Sequence, residues 1–140
     1  MTPSEKIFSL KGILPFNRLR DSELILIAEI TKYRSYAPGE KITSAGRILP
    51  KLYITIDGEL TAEGPENGEK FPVPQVFGVE SLLMDHPIIH SLSASEPGGA
   101  NCLLINKGHF FTIMYECPEL VIGFAETINY SPRIFFQILE

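Results

Sequence analysis

The stretch VFGVESLLMDHPIIHSLSA, from Val76 to Ala94, decides the fold prediction. Its pattern predicts a strand, a tight Phe-Gly turn, one short helix, a His-Pro break and a second strand. A turn of this kind directs the backbone N–H groups of a helix start toward one place, which is how many folds hold phosphate. The stretch is therefore the first region in which to look for a ligand site.

The composition is typical of a soluble globular domain with a core of its own. The chain has 140 residues, of which 44% are hydrophobic and 21% charged, and its net charge is −5. This charge argues against nucleic acid binding, which needs a basic face. We expect one domain over residues 1–140, with its core at about 13–128 and no separate output domain. We also expect a cytoplasmic protein, because the sequence has neither a signal peptide nor a membrane span.

The N-terminal part predicts helices. The apolar residues between Lys6 and Leu19, interrupted by glycine and proline, predict a short helix followed by a turn. Asp21 is expected to cap the next helix, with Glu23 in its first turn. That helix is predicted to run through LILIAEITKY, residues 24–33, and to be largely buried because it is apolar almost all round.

The middle of the chain predicts short strands separated by glycine-containing turns. The alternation in LYITIDG, residues 52–58, has the period of a strand, and Asn67-Gly68 is a good hairpin turn. Pro72 and Pro74 are expected to keep the returning strand at a sheet edge or to make it irregular. Further strands are expected at 40–43, from residue 60 and at 102–105. Together these elements predict an antiparallel barrel or sandwich.

The C-terminal part predicts two helices and an apolar tail. Asn106 is expected to cap the first helix, and Pro118 suits the first turn of the second. Ser131-Pro132 is expected to end or kink that second helix, ahead of the tail RIFFQILE. The second helix carries an apolar stripe: Leu120, Val121, Phe124, Ala125 and Ile128.

Several motifs occur in an order that resembles one known family. They are Pro15-Phe16 followed by Leu19, YAPGEKI at 36–42, LYITIDG at 52–58, Phe77-Gly78, and CPEL at 117–120. This order resembles the cyclic nucleotide-binding domain family, which includes catabolite activator proteins, protein kinase A regulatory subunits and nucleotide-gated channels. The resemblance implies a mainly β fold with flanking helices. It would be an antiparallel β-barrel of the double-stranded β-helix or jelly-roll type, with N-terminal helices and two C-terminal helices.

The resemblance also implies where a ligand would lie. Gly78 either lets a ligand approach the backbone or only makes a tight corner. The candidate pocket residues come from the phosphate-binding cassette of the family: Phe77, Gly78, Val79, Glu80, Ser81, Leu82, Ile88, Ile89, His90 and Ser91.

The cassette departs from the family pattern at two positions. In ligand-binding members a Glu follows the Phe-Gly pair and accepts from the ribose hydroxyl, and an Arg follows a proline and pairs with the cyclic phosphate. Here Val79 and Ile88 stand at those positions. We therefore expect that cyclic AMP does not bind in the usual way. Glu80 in a slipped register, or positive charge from His90 or Arg47, are the alternatives that would keep a nucleotide site.

The sequence therefore predicts a regulatory or ligand-sensing module rather than an enzyme, since no catalytic signature occurs. The alternatives are a nucleotide sensor with a rearranged pocket and a sensor for an uncharged ligand, which Val79 and Ile88 would suit. A metal site is not expected, because Pro87 separates His86 from His90. Cys102 and Cys117 are expected to be buried thiols. The expected partner is a second copy or an output protein bound through the C-terminal helix, with no nucleic acid and no membrane.

Overall fold

The computed structural model describes residues 1–64 and 68–130, and for residues 127–130 it describes the backbone alone. Strands form the middle of the chain and helices its two ends, as the sequence predicts. The helices are α1 (Pro3–Lys11), α2 (Asp21–Ile30), α3 (Val79–Met84), α4 (Lys107–Glu116) and α5 (Pro118–Tyr130). The strands are β1 (Lys32–Tyr36), β2 (Lys41–Thr43), β3 (Lys51–Gly58), β4 (Leu60–Glu63), β5 (Lys70–Pro72), β6 (Val76–Phe77), β7 (Ser91–Ala94) and β8 (Ala100–Asn106).

The described strands form two four-stranded sheets, with the orders β1-β8-β3-β6 and β2-β7-β4-β5. Neighbouring strands are antiparallel throughout both sheets. Side chains from both sheets pack in one buried cluster, so the sheets face each other as in the predicted jelly roll. β5 lies at a sheet edge, the position predicted from its prolines, because proline has no N–H to donate to a ladder.

Two buried clusters meet at β3. The helix-side cluster lies between the first sheet and the helices, and the barrel-side cluster lies between the two sheets. Leu52 and Ile54 pack in the helix-side cluster, whereas Tyr53 packs in the barrel-side cluster. The alternation in the sequence of β3 therefore separates two cores, instead of separating core from solvent.

The helix-side cluster consists of Leu10, Ile13, Phe16, Leu19, Leu24, Ile27, Leu52, Ile54, Val76, Val79, Leu82, Leu103, Ile105, Phe110, Ile113, Cys117, Leu120 and Phe124. The barrel-side cluster consists of Tyr36, Leu49, Tyr53, Leu60, Ala62, Val73, Phe77, Ile88, Leu92, Ala94, Ala100, Cys102 and Leu104. Both names keep these meanings below.

Side-chain hydrogen bonds fix the starts of α1 and α4. The Thr2 hydroxyl accepts from the Glu5 N–H at 3.1 Å, and the Glu5 carboxylate accepts from the Thr2 N–H at 3.0 Å. This reciprocal pair satisfies two N–H groups that have no partner inside the helix. The predicted cap of α4 is confirmed, because Asn106 Oδ1 accepts from the His109 N–H at 2.8 Å.

The predicted short helix followed by a turn is confirmed, since α1 spans Pro3–Lys11 and a 3₁₀ turn over Phe16–Arg18 follows it. The predicted end of the second helix is wrong. α2 ends at Ile30, and the next residues form β1, an edge strand that the sequence did not predict. The residues of β1 are largely polar and show no apolar alternation. Pairing with β8 holds them in the sheet.

Two further expectations for α2 are wrong. Asp21 is the first helical residue and not the cap; the Glu23 carboxylate instead accepts from the N–H of Arg20, the N-cap residue, at 3.0 Å. The helix is also not largely buried, since it buries Leu24, Ile27 and Ala28 and leaves Ile25 49% exposed. Only one apolar face of α2 packs against the core.

Some predicted features lie outside the described residues. They are Asn67 of the hairpin turn, the Ser131-Pro132 helix stop, the tail at 133–140 and the side chain of Ile128 in the α5 stripe.

Candidate ligand site

Gly78 joins β6 to α3 in a left-handed conformation that glycine tolerates best. Its φ is 115°, and it is the N-cap residue of α3. A Cβ added there would lie 2.9 Å from the carbonyl oxygen of Lys51 and 3.5 Å from Leu49 Cδ1. The close approach of these residues requires a glycine, so the tight-corner explanation accounts for Gly78 without a ligand.

Val79 and Ile88, which the sequence predicts at the positions of the Glu and Arg of the family cassette, are both buried. Val79 is 4% exposed and packs in the helix-side cluster, whereas Ile88 is 2% exposed and packs in the barrel-side cluster. Leu82 lies with Val79 in the helix-side cluster, and Leu83 is 40% exposed. The structure thus places the two substituted positions in different cores.

Backbone hydrogen bonds hold Ile88 against the loop that precedes β3. Its N–H donates to the Arg47 carbonyl at 3.0 Å, and its own carbonyl accepts from the Gly46 N–H at 2.7 Å. Arg47 itself is exposed. The segment after α3 is therefore fixed with the Ile88 side chain in the barrel, while Arg47, one alternative source of positive charge, lies on the surface.

Ser81 ties α3 to the two loops beside it. It is fully buried, its hydroxyl donates to the His86 carbonyl at 2.9 Å, and the hydroxyl accepts from the Leu49 N–H at 3.0 Å. Both partners are backbone groups of the protein. Ser81, a predicted pocket residue, therefore has a structural role, because its hydroxyl satisfies a buried amide N–H and a carbonyl group.

The other predicted pocket residues lie around the cassette at different depths. His90 is half-buried, and its ring meets the Phe71 ring edge-on, with 5.8 Å between the centroids. Phe77 is buried in the barrel-side cluster. Glu80 and Ile89 are half-buried, and Ser91 begins β7 opposite Glu63 of β4.

The cassette contains carboxylates but neither lysine nor arginine. Between Val76 and Ser91 the acidic residues are Glu80 and Asp85. Asp85 ends α3 with a φ of 53°, and its carboxylate contacts the ammonium group of Lys107 at the start of α4. A cyclic phosphate would meet none of the charged donors that usually bind it in forked geometry.

The sequence reasoning missed a group of polar side chains inside the barrel. Burial raises the pKa of Tyr53 to about 12 and also raises the pKa of Tyr36. The Thr55 hydroxyl lies 3.7 Å from the Cys102 thiol. The available signal was that Tyr53 and Thr55 alternate with Leu52 and Ile54. These groups give the apolar barrel some capacity to form hydrogen bonds.

A groove of about 430 Å³ lies on the second sheet, and none of the predicted pocket residues lines it. Thr61 and Ser93, paired in register across β4 and β7, contribute small side chains to it, and Glu63 of β4 lies opposite Lys70 of β5. No sequence pattern distinguishes this face from an ordinary solvated sheet face.

Within residues 1–64 and 68–130, no group of three His, Cys, Asp or Glu side chains is placed to hold a metal ion. Cys102 and Cys117 are free thiols, and both are buried as predicted. In the same part of the chain, no helix has the length and apolar character needed to cross a membrane.

Comparison with known proteins agrees with this architecture at the level of the fold. No protein-family model matches the chain, and no curated protein sequence matches it. Many solved structures do match. One is cAMP-bound PfPKA-R, with a TM-score of 0.74 and 20% identity, over 91% of this chain and 44% of that one. The chain has the fold of cyclic nucleotide-binding domains.

Two further structures show how widely this fold is used. The catabolite activator protein of Thermus thermophilus matches with a TM-score of 0.68 and 18% identity, over 86% of this chain and 56% of its own. The regulatory subunit of a cAMP-independent protein kinase A from Trypanosoma cruzi, bound to guanosine, matches with a TM-score of 0.67 and 20% identity, over 80% of this chain and 41% of its own. This chain spans about half the length of the first structures that it matches.

Proposed function

We propose that this chain is a non-catalytic regulatory module that uses the cyclic nucleotide-binding fold without the usual ionic contacts to cyclic AMP. The observation that carries the proposal is the burial of Ile88 in the barrel-side cluster. The family resemblance predicts a phosphate-binding Arg at this position. A desolvated phosphate without a cationic partner costs roughly several kcal/mol. Val79 acts in the same direction, because it removes the carboxylate that accepts from the ribose.

Calorimetric titration of the full chain with cyclic AMP and cyclic GMP tests this proposal. We expect no measurable binding at micromolar nucleotide, and a dissociation constant in the low micromolar range or below would contradict the proposal.

The variant I88R places a guanidinium in the barrel, and Val79 stays unchanged because a carboxylate there would be buried in the helix-side cluster. A charge-assisted bidentate pair contributes about 2–3 kcal/mol, so we expect a folded I88R variant to bind cyclic AMP detectably better than the parent. Ile42→Arg is the matched control, because Ile42 also packs against the barrel-side cluster but lies on β2, outside the cassette. An equal gain in the control would mean that general positive charge causes the effect.

A second candidate function is the sensing of an uncharged ligand. Ile88 would suit an apolar ligand surface, and the hydroxyl groups of Tyr36 and Tyr53, which belong to the same cluster, could orient such a ligand in the barrel. The Trypanosoma cruzi structure of the same fold holds guanosine, a nucleoside without phosphate. Titration with guanosine and adenosine, and native mass spectrometry of the purified chain, test this candidate. An unliganded mass and flat titrations would rule out both nucleosides.

The output of the module is proposed to pass through α5 to a partner protein or a second copy of the chain. The supporting observation is that α5 buries Leu120 and Phe124 but leaves Val121 46% and Ile122 62% exposed. We further propose that the chain is a single domain over residues 1–140, works in the cytoplasm and does not bind nucleic acid, in keeping with its net charge of −5. Pull-down with immobilised full-length chain, compared with its Ile122→Glu variant, would show whether a partner uses this helix.

A further inference from the structure

The described part of the two sheets has four edge strands, β1, β6, β2 and β5, which differ in their protection against a further strand. β6 has two residues, β2 has three and a register shift in its pairing with β7, and β5 has three and ends at Pro72. Short length, irregular pairing and proline each hinder the addition of a strand. β1 instead has five residues, Lys32–Tyr36, none of them proline, and pairs with β8 in an uninterrupted register.

The outer edge of β1 offers backbone groups to a further strand. Residues 32–35 are all exposed. In an antiparallel pair, alternate residues direct their N–H and C=O groups away from the partner strand. Within the described part of the chain, β8 is the one strand that pairs with β1, and no other backbone segment hydrogen-bonds to the backbone of residues 32–35. The outward N–H and C=O groups of β1 can therefore form a ladder with an added strand.

The side chains of β1 give this edge a positive charge. Lys32 and Arg34 lie on the same face of the strand, because they are two residues apart, and β1 contains no acidic residue. Among the described residues, Lys32 has no ion-pair partner. Arg34 forms an exposed pair with Glu40, with 3.4 Å between Nη2 and Oε2, and exposed pairs of this kind are weak. Both cations are therefore available to carboxylates on an added strand.

We propose that β1 is a docking edge for an extended acidic segment of another protein, which adds to the first sheet as a further strand. Carboxylates at alternate positions of that segment lie beside Lys32 and Arg34. The residue between them lies on the other face, beside Tyr33, which is 42% exposed and borders a cavity of about 290 Å³. The segment therefore alternates acidic with apolar residues. This edge shares no residue with the cassette or with α5, so the inference is independent of nucleotide binding.

A second copy of the chain fits this edge poorly. Antiparallel pairing of two β1 strands about a two-fold axis brings Lys32 and Arg34 of one copy close to the same residues of the other copy. Like charges directly opposite each other on neighbouring strands are destabilising. The basic side chains therefore disfavour self-association and favour a partner strand of opposite charge.

Binding of synthetic peptides to the full chain tests this proposal. The probe is a labelled seven-residue peptide of alternating Glu and Val with blocked ends, and fluorescence anisotropy measures its dissociation constant. Two further peptides carry N-methyl groups on all the Val or on all the Glu nitrogens, and each pattern removes the N–H donors from one edge of the peptide. The variant K32E/R34E reverses the charge of β1. K41E is the matched control, because Lys41 is an exposed lysine on the edge strand β2.

The expected result is that the Glu/Val peptide binds, and that one methylated peptide binds about tenfold more weakly than the other because one edge of the peptide faces β1. K32E/R34E should also weaken binding about tenfold, since two attractive charge pairs become repulsive. K41E should bind like the parent. If K32E/R34E has a lower unfolding temperature than the parent, K32E alone gives the same comparison and leaves the Arg34–Glu40 pair in place.

Three outcomes would overturn the proposal. No binding at millimolar peptide would show that the edge is closed to an added strand. Equal affinities of the two methylated peptides, or an equal loss in K41E, would show attraction between charges without strand pairing. A peptide affinity that falls as the concentration of the chain rises would identify a second copy as the occupant of the edge.

Discussion

The helix-side and barrel-side clusters share strands β3 and β8, yet they are built from different side chains. Three phenylalanine rings fill the centre of the helix-side cluster: Phe124 lies 5.9 Å from Phe16 and 5.6 Å from Phe110, measured between centroids. The barrel-side cluster instead holds three alanines and the polar tips of two tyrosines and a cysteine. The first cluster is built for close packing, whereas the second keeps small and polar groups between the two sheets.

The cassette joins these two regions. Phe77 and Ile88 contribute to the barrel-side cluster, while Val79 and Leu82 contribute to the helix-side cluster that packs against α5. A substitution at Ile88 in the barrel can therefore leave the helix packing intact.

The largest expected effect comes from neighbouring leucines that face opposite clusters. Leu103 packs in the helix-side cluster and Leu104 in the barrel-side cluster, on consecutive positions of β8. We expect Leu103→Ala to lower the free energy of unfolding by about 4 kcal/mol and Leu104→Ala by about 2–3 kcal/mol, because tightly packed rings relax less around a cavity. Urea unfolding of both variants measures the difference.

Phe8→Ala is the control for these leucines, since Phe8 is 82% exposed and its truncation should change stability by less than about 0.5 kcal/mol. A larger loss at Leu104 than at Leu103 would mean that the barrel side is the more rigid core.

Removal of the Ser81 hydroxyl should have the next largest effect on stability, because this hydroxyl links α3 to the loops that contain Leu49 and His86. Ser81→Ala leaves the buried N–H of Leu49 and the His86 carbonyl without this partner, at a cost of about 1–3 kcal/mol. Chemical denaturation measures the loss, and Ser35→Ala on exposed β1 is the matched control. A neutral Ser81→Ala variant would show that the hydroxyl is not needed to hold α3.

The pH dependence of stability should differ between the two clusters, because each cluster contains one cysteine thiol. Burial raises the pKa of Cys117 in the helix-side cluster from 9.0 to about 11, and the nearby Glu23 carboxylate adds to the rise. Burial also raises the pKa of Cys102 in the barrel-side cluster, but its contact with Thr55 lowers it in part. The unfolded thiols lose their protons first, so stability that is fully present below pH 9 falls as the pH rises toward 11.

We expect the contribution of Cys117 to this loss to be on the order of 2 kcal/mol. Urea unfolding between pH 7.5 and pH 10 should therefore show a shallower decline for Cys117→Ala than for the parent or for Cys102→Ala. An unchanged slope in Cys117→Ala would mean that other groups, such as Tyr53, dominate the alkaline transition.

The smallest expected effect concerns the exposed contact between α3 and α4. The Lys107 ammonium group meets the Asp85 carboxylate, and both side chains are about half exposed. Lys107→Ala should lower stability by less than about 1 kcal/mol, and the loss should shrink in high salt because exposed charges are screened. Thermal unfolding at two salt concentrations measures it, with Lys107→Arg as the charge-preserving control. A larger loss that does not depend on salt would show that Lys107 contributes through packing.

Sequence reasoning succeeded where the local pattern and the tertiary contacts agree. The alternation in β3, the prolines of β5 and the Asn106 cap are examples. It failed at β1, because an edge strand of polar residues carries no apolar period and owes its conformation to β8. For the candidate site, it identified the turn at Gly78 but could not show that Lys51 fills the space in front of it. The hydrogen-bond partners of Ser81 could not be predicted either, because Leu49 lies far from Ser81 in the sequence.

The sequence alone determined the jelly-roll architecture and the apolar character of positions 79 and 88, because glycine turns, strand periods and the identities of Val79 and Ile88 are local properties. Only the tertiary structure decided which core each of these residues enters. Adjacent positions on a strand point to opposite faces, and the burial of each face depends on elements far away in the chain. For that reason Val79 lies among the helices and Ile88 lies in the barrel.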